Sequence, residues 1–238
     1  MKTILKIFVI LFSLSFATAK AQNIDQFFSD SDAFFKQHVS GGSVDYAAIN
    51  DNQDGLNALL ATAQQIKVSS SNANAYKAFW INAYNLAVIK GIINNYPIKS
   101  PLDKKGFFDK TKYDIGGTSI TLNDIENKKL RAVFKDARLH FVLVCGAKGC
   151  PPIIAKAYTP SNVESLLEGQ TVKALNNASF TKVSGKKVAF SEIFKWYKED
   201  FVQGGQTEID FLNKYLKTPV PANSKVTYYT YDWRLNSK

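Results

Sequence analysis

The chain contains two cysteines, Cys145 and Cys150, and both lie in the short segment CGAKGCPP. One interpretation is a local disulfide, because Gly146 and Gly149 allow the chain to turn until the two Cα atoms are about 5.5 Å apart. A bond across so short a loop contributes only about 2 kcal/mol, so it would mainly hold the shape of the loop. The other interpretation makes one cysteine a nucleophile, and these residues alone leave both open.

A cysteine nucleophile needs a thiolate and usually a histidine base. Lys148 is close enough in sequence to favour a thiolate at Cys145, and His140 precedes that cysteine by five residues. The apolar run Leu139–Cys145 predicts a buried strand, on which these two side chains would lie about 16 Å apart on opposite faces. A pair between them requires a bulge or an early strand end, and Cys150 reaches His140 only if the loop folds back. Otherwise we expect His140 to be a hydrogen-bonded core residue.

Two asparagines lie inside the most apolar part of the sequence. The segment from Ala75 to Ile93 is apolar on nearly every side of a helical wheel, which predicts a buried helix. Asn82 and Asn85 are three apart and share one face of it. A buried amide without partners costs about 1–3 kcal/mol, so the two imply a polar network. We expect that network either to brace a neighbouring loop or to line a site together with His140.

Aromatic residues accompany these polar groups. Trp80 and Tyr84 are four apart on the predicted buried helix, and Asp232-Trp233 comes near the C-terminus. Each pair has a packing interpretation, in the core or in docking of the chain end, and a functional one, as a wall for a sugar or a peptide. The acidic segment 123–126 (NDIE) is explained by a capping box that opens a helix.

The first 21 residues have the pattern of an export signal. Lys2 and Lys6 precede an apolar stretch from Phe8 to Phe16, and Ala19-Lys20-Ala21 fits a small-x-small cleavage site. We therefore expect a mature chain that starts at Gln22 and is periplasmic or secreted, with no transmembrane segment. An oxidising compartment favours the disulfide interpretation of the two cysteines.

Composition and motifs argue against several classes of function. The net charge is +10, but the basic residues are mostly scattered lysines, which does not fit a nucleic-acid binder. Two histidines and two cysteines at these spacings do not match metal-ligand patterns. The chain has no phosphate loop, dinucleotide fingerprint or Gly-x-Ser-x-Gly elbow, so no cofactor is expected. A peptide or a glycan is the ligand class that the aromatic residues favour, and no pattern indicates an oligomeric state.

Hydrophobic periodicity and turn residues predict the remaining elements. Helices are expected over residues 24–38, 56–66, 75–93, 123–134 and 210–216 and from Thr159-Pro160 and Ser191, hairpins around Gly116-Gly117 and Gly185-Lys186, and a late strand over 225–231. Helices and hairpins are interspersed without a regular βαβ rhythm, which indicates an α+β fold. We expect one globular domain over residues 22–238, with helices packed on a small, mostly antiparallel sheet whose central strand is Leu139–Cys145.

Five segments carry a family likeness when they are taken in order: FWINAYN, ITLNDIE, LHFVLVCGAKGCPP, SEIFKWYKEDF and YDWRLN. In this order they resemble the domain of unknown function 547 family, which occurs in bacterial and plant proteins. The likeness covers roughly residues 75–236. It implies a fold and a set of signature positions, but it implies no mechanism, because the family has no agreed activity.

Two function classes follow from these residues, and a third serves as their baseline. The first is an exported envelope enzyme, a thiol-dependent hydrolase or transferase acting on a peptide or cell-wall fragment, with Cys145, Cys150 and His140 as its catalytic groups. The second is a non-catalytic binding module whose loop is shaped by a disulfide. A purely structural envelope protein, the baseline, predicts no pocket.

Overall fold

The computed structural model describes residues 24–238, so the predicted export signal lies outside the described residues. The helices are α1 (24–38), α2 (Tyr46–Asp51), α3 (Asp54–Gln65), α4 (Ala73–Ile93), α5 (Leu122–Asp124), α6 (Ala132–Phe134), α7 (Val163–Leu175), α8 (Glu192–Trp196), α9 (Lys198–Phe201) and α10 (Glu208–Asn213). A π-helical segment, Ile125–Arg131, joins α5 to α6, and short 3-10 helices cover Pro101–Asp103, Ala137–Phe141 and Gln203–Gly205. Together with the strands below, these elements confirm the α+β class.

The strands form three small, separate sheets. Their members are β1 (Val39–Ser40) with β2 (Ser43–Val44), β3 (Lys112–Ile115) with β4 (Thr118–Thr121), and β5 (Lys182–Ser184), β6 (Lys187–Ser191) and β7 (Lys225–Tyr229). All pairs are antiparallel except β6 with β7. The predicted hairpin at Gly116-Gly117 is confirmed, with both glycines at positive φ, as a two-residue turn of this kind requires.

The longest helix, α4, lies at the centre of the core. It begins after Asn72, whose side-chain oxygen accepts from the backbone N–H of Ala75. Nearly every residue from Tyr76 to Ile93 is buried, as the apolar wheel predicts. Contacts with α2, α3, α7 and the π-helical segment surround it, so most of its cover comes from other helices.

The predicted central strand, Leu139–Cys145, is wrong. Its first part belongs to the 3-10 helix Ala137–Phe141, and the rest is irregular. Asp136 starts the helical turn by accepting from the backbone N–H of Arg138 at 3.0 Å. Continuous burial made the segment resemble a strand, but burial alone does not separate a strand from other buried conformations. The segment thus gives α4 no strand to pack on, although α4 does lie against the β3–β4 hairpin.

A side chain from α4 makes the backbone hydrogen bonds that a neighbouring strand would make in a sheet. The Asn85 amide group donates to the carbonyl oxygen of Val142 at 3.0 Å, and its oxygen accepts from the N–H of Val144 at 2.9 Å. Buried backbone groups are almost always paired. The asparagine therefore satisfies an irregular segment that would otherwise leave two polar groups unpaired in the core.

Asn82 does the same for a second segment. Its amide group donates to the carbonyl oxygen of Tyr158 at 2.6 Å, and its oxygen accepts from the N–H of the same residue at 3.0 Å. Both asparagines are buried. The predicted amide network thus exists, and it braces two loops.

Asn82→Ala is expected to lower the free energy of unfolding by about 1–3 kcal/mol, because both backbone groups of Tyr158 lose their partner in a buried position. Urea unfolding followed by circular dichroism measures the change. Asn74→Ala is the matched control, since Asn74 lies exposed on the same helix, and it should stay within about 0.5 kcal/mol of wild type. Equal effects for the two substitutions would contradict the bracing role.

Two element boundaries differ from the prediction in informative ways. The helix expected at Thr159-Pro160 begins later, at Val163, because Asn162 holds the preceding turn by accepting from the N–H of Thr159 at 2.7 Å. The late strand ends at Tyr229, and residues after it bond to the loop between the two cysteines. None of the helices within residues 24–238 has both the length and the apolar character that crossing a membrane requires.

Candidate functional site

A cavity of about 250 Å³ opens where the irregular segment after His140 meets the C-terminal part of the chain. Its lining is mostly aromatic and apolar, with a few polar groups. The lining residues are Tyr84, Phe108, Asn123, Glu126, His140, Leu143, Cys145, Cys150, Ile193, Trp196, Tyr197, Tyr231 and Trp233. Concave sites with this composition are the usual form of small-ligand sites.

Both sulfur atoms lie in the cavity wall, and they are bonded to each other. Cys145 and Cys150 form a disulfide with a Cα–Cα distance of 6.4 Å. The backbone N–H of Cys145 also points at the Sγ atom of Cys150, at 3.0 Å. The disulfide interpretation of the two cysteines is therefore the one that the structure supports.

The C-terminal segment holds the disulfide loop in place. The N–H groups of Lys148 and Gly149 donate to the carbonyl oxygens of Arg234 (2.7 Å) and Asp232 (2.8 Å), and the N–H of Asn236 donates to Gly146. These backbone bonds are independent of side-chain type. They explain why residues far apart in the sequence form one wall of the cavity.

The phenol of Tyr231 contacts both sulfur atoms of the disulfide. Its oxygen lies 3.0 Å from Cys145 Sγ and 3.0 Å from Cys150 Sγ. Tyr231 is buried, and burial raises the pKa of its phenol far above the usual value. The phenol therefore stays protonated and remains a hydrogen-bond donor beside the sulfurs.

His140 is held by an ionic cluster. Its Nε2 atom lies 2.7 Å from the Oδ2 atom of Asp200, and the Nε atom of Arg131 donates to the same oxygen at 2.6 Å. The imidazole also packs on the ring of Tyr197, with ring centroids 4.2 Å apart. Burial raises the pKa of Asp200, but the hydrogen bonds from His140 and Arg131 outweigh it and lower the value to about 2. His140 is thus a hydrogen-bonded buried residue, and it also faces the cavity.

Stability should reflect this depressed carboxyl pKa. Because the folded-state pKa of Asp200 lies below the unfolded value, its contribution is present above about pH 4 and is lost as the pH falls towards 2. Asp200→Asn should therefore remove about 2 kcal/mol of unfolding free energy at pH 7, a difference that shrinks as the pH approaches 2. Urea unfolding of both proteins between pH 2 and pH 7 measures it. A difference that is constant with pH would contradict this account.

Glu126 is the site residue that the capping-box interpretation concealed. The helical segment is capped two residues earlier than that interpretation requires, by Thr121, whose Oγ1 atom accepts from the N–H of Asp124 at 3.1 Å. The N–H of Asn123 donates to the carbonyl oxygen of Phe108, so Glu126 has no capping role there. Its carboxylate instead lines the cavity.

Three aromatic rings form a compact wall at the mouth of the cavity. Tyr231 lies 5.0 Å from Trp196 and 4.8 Å from Trp233 between ring centroids, and the two indoles are roughly parallel at 5.8 Å. Phe108 extends the wall beyond Trp233. The side of Trp196 that faces away from the wall is open, and 42% of this residue is exposed, a large fraction for an aromatic residue at a cavity.

The structure brings together only part of the predicted site. Tyr84 and Trp233 line the cavity, as do the three predicted catalytic groups, His140, Cys145 and Cys150. These three can line one cavity because the segment between His140 and Cys145 is irregular and not a strand. The geometric objection to their meeting therefore disappears with the strand on which it depended.

The other predicted residues lie outside the cavity lining. Trp80 is buried against Gly116 and Phe79, which is the packing interpretation. Lys148 is exposed. Asp232 is bonded to Arg234, whose guanidinium lowers the pKa of that carboxyl to about 2.

The two asparagines do not enter the cavity lining either. Asn85 contributes to the site indirectly, because it fixes the backbone at Val142 and Val144 that leads into Cys145. Asn82 fixes Tyr158, away from the disulfide.

Reasoning from the sequence missed several residues of the site: Glu126, Trp196, Tyr197, Asp200 and Tyr231. All five lie in segments that carry the family likeness: Glu126 in ITLNDIE, and the others in SEIFKWYKEDF and YDWRLN. Membership of those segments was the available signal. Nothing in their spacing distinguished a cavity wall from ordinary core packing.

A family model described as "Protein of unknown function, DUF547" matches residues 68–175. Residues 68–175 belong to this family. The matched DUF547 region contains α4, His140, Glu126 and the disulfide loop, whereas Trp196, Asp200, Tyr231 and Trp233 lie beyond residue 175. The DUF547 region thus supplies one side of the cavity, and the C-terminal part supplies the other. No curated protein and no solved structure matches the chain.

Proposed function

We propose that this DUF547 protein is an exported binding module whose cavity at the Cys145–Cys150 loop takes a small ligand, such as an envelope peptide or glycan fragment. The observation that carries the proposal is the state of the two sulfurs. They are bonded to each other and contacted by the Tyr231 phenol, so the cavity offers an aromatic, shaped wall instead of a thiol. A cavity of about 250 Å³ also counts against a purely structural role.

The tryptophans provide an internal test. Trp196 and Trp233 line the cavity, whereas Trp80 is buried elsewhere. In a ¹H–¹⁵N spectrum the three indole N–H signals can be assigned with single Trp→Phe variants. Stem peptides and short glycans of the bacterial cell wall are then titrated against the protein. A ligand of the cavity should shift the signals of Trp196 and Trp233 and leave that of Trp80 in place.

A panel in which no compound moves the two cavity signals would contradict the proposal for this ligand class. Equal shifts at all three indoles would indicate a general change in the protein and would also count against it. Trp233→Ala gives a matched loss-of-binding variant, since Trp233 is only partly buried at the mouth, and its fold can be checked by circular dichroism.

A second candidate function is a thiol-dependent hydrolase or transferase that acts after reduction. One observation favours it: His140, oriented by Asp200, lines the same cavity as both cysteines. A base that is itself positioned by a carboxylate is the arrangement that activates cysteine nucleophiles. Since Nε2 bonds to Asp200, Nδ1 is the nitrogen left to take a thiol proton.

Catalysis by this candidate begins with reduction of the disulfide. An external dithiol reduces the disulfide with two electrons and two protons and is itself oxidised to a disulfide. His140 then takes the Cys145 proton, the thiolate attacks an acyl carbon, and the imidazolium returns the proton to the departing amine or alcohol. Water or a second acceptor cleaves the resulting thioester.

Alkylation with iodoacetamide separates the two candidates. The native protein should incorporate no carbamidomethyl group, because both sulfurs are bonded. After reduction with dithiothreitol, a thiol enzyme should show one cysteine with a pKa clearly below the usual value of about 8.5, and His140→Gln should abolish that shift. Ordinary thiol reactivity at both cysteines would remove the enzyme candidate and leave the binding module.

A further inference from the structure

The carboxylate of Glu126 forms no salt bridge with a side chain of its own helical segment, although its negative charge helps to raise the pKa of Arg131. Lys128 pairs with Asp124 at 3.0 Å, and Arg131 pairs with Glu199 and Asp200 at 2.8 and 2.6 Å. Lys129 lies over the ring of Trp80, with its Nζ atom 5.4 Å from the ring centroid. Of the salt bridges between residues 24 and 238, none includes Glu126.

Aromatic side chains line the same cavity as this carboxylate. Tyr84, Tyr197 and Tyr231 all line the same cavity. Burial raises the pKa of each of these phenols, and the negative charge of Glu126 raises each of them further. The phenols therefore stay neutral, and Glu126 is the cavity's acidic side chain.

The side chains in and next to the cavity carry more acidic than basic groups. Asp200, Glu199 and Glu126 give three carboxylates, against the guanidinium of Arg131 and the imidazole of His140. That guanidinium is itself enclosed by the two acidic partners and by the ring of Tyr197, 4.7 Å away. The field in the cavity thus favours a positive ligand and opposes an anionic one.

We propose that the cavity binds an organic cation, an ammonium group on an apolar body, with the charged nitrogen at Glu126 and the body against the aromatic wall. This inference rests on the proposed binding function and narrows its ligand class. A carboxylate in partly apolar surroundings is stabilised by a cationic partner, and aromatic faces attract ammonium groups. Among envelope fragments the geometry selects those with an amine, such as a peptide N-terminus or a diamino acid side chain, over neutral glycans.

Three small probes of similar size and different charge test this on the full chain. They are benzyltrimethylammonium, benzyl alcohol and benzoate, titrated while the Trp196 and Trp233 indole signals are followed. The cation should bind at least tenfold more tightly than either of the others. Glu126→Gln should weaken binding of the cation at least tenfold and leave the affinity for benzyl alcohol unchanged. Glu168→Gln removes an exposed carboxylate on α7 outside the cavity and should change neither affinity.

The outcomes distinguish this inference from the function on which it rests. If the alcohol or benzoate binds as tightly as the cation, the cavity is a binding site but the cation class is wrong. If the cation binds most tightly and Glu126→Gln has no effect, the assigned carboxylate is wrong. If no probe moves the cavity signals, both the inference and binding of small ligands at this cavity fail. The comparison of probes on wild-type protein needs no variant, so it stands even if Glu126→Gln does not fold.

Discussion

Asn85→Asp is expected to lower the free energy of unfolding by about 4 kcal/mol at pH 7, and this loss should disappear in mild acid. Asn85 is buried and bonds to Val142 and Val144 through both ends of its amide. A protonated carboxyl can reproduce both hydrogen bonds, but a carboxylate would face the Val142 carbonyl oxygen without solvent. The folded state therefore holds the proton, and the folded-state pKa of the new carboxyl lies above 7.

The sign of the pH effect follows from that raised pKa. The unfolded chain releases the proton near pH 4. Below that pH the variant should therefore have the same free energy of unfolding as wild type, and above it the free energy of unfolding of the variant falls as the pH rises. Each pH unit between 4 and 7 costs about 1.4 kcal/mol. Urea unfolding of both proteins at pH 4, 5.5 and 7 measures the difference. Asn85→Ala is the control: it loses both bonds, about 1–3 kcal/mol, at every pH. A pH-independent loss in Asn85→Asp would show that the carboxylate finds a partner or water.

Gly146→Ala is expected to destabilise the fold by about 2–4 kcal/mol, through backbone strain and overpacking together. Gly146 follows Cys145 directly and has a φ of +81°, a region that favours glycine. A Cβ atom there would lie 2.6 Å from Ile92 Cδ1 and 3.3 Å from Val88 Cγ1 on α4. Either the Ile92 side chain or the loop that carries the disulfide must therefore move.

Two variants separate the two causes. Gly185 in the β5–β6 turn also has a positive φ, +56°, but a Cβ atom there meets nothing within 4 Å. Gly185→Ala should thus show the strain alone, about 1–2 kcal/mol. Ile92→Val removes the clashing Cδ1 atom, so the double variant with Gly146→Ala should cost less than the sum of the single ones. Strict additivity, measured by urea unfolding, would mean that contact with α4 does not restrict this glycine.

Asn85 and Gly146 both help to hold the disulfide loop against α4. Asn85 on α4 fixes the backbone before Cys145, and Gly146 lets the next residues lie against the same helix. The C-terminal segment then bonds to the far side of the loop. The cavity wall is therefore supported by backbone and amide contacts whose partners come from three distant parts of the chain.

Local elements were largely predictable from the sequence. The buried helix around Asn82, the hairpins at Gly116-Gly117 and Gly185-Lys186 and the Ser191 cap depend on residues a few positions apart. Glycine at positive φ and a cap hydroxyl act within one turn. Such signals do not depend on the rest of the fold, which is why these predictions are confirmed.

The wrong predictions concern segments in which a hydrogen bond comes from a residue other than the one that the local pattern indicated. The segment Leu139–Cys145 looked like a strand because it is apolar throughout, and only the amide of Asn85 makes its irregular backbone tolerable in the core. Glu126 looked like a capping residue because it follows Asn123 by three, whereas Thr121 takes the cap. In both cases the competing partner could be identified only in three dimensions.

Two conclusions follow from the amino-acid sequence without the fold: two amides are buried in an apolar helix, and two cysteines share a short glycine-containing loop. Those conclusions need only burial costs and chain geometry, which are local. Tertiary structure alone decided that His140, the disulfide and Glu126 face one cavity, with Tyr231 and Trp233 closing it. The physical reason is that a cavity is formed by surfaces that meet across the core, and the spacing along a chain does not specify which surfaces meet.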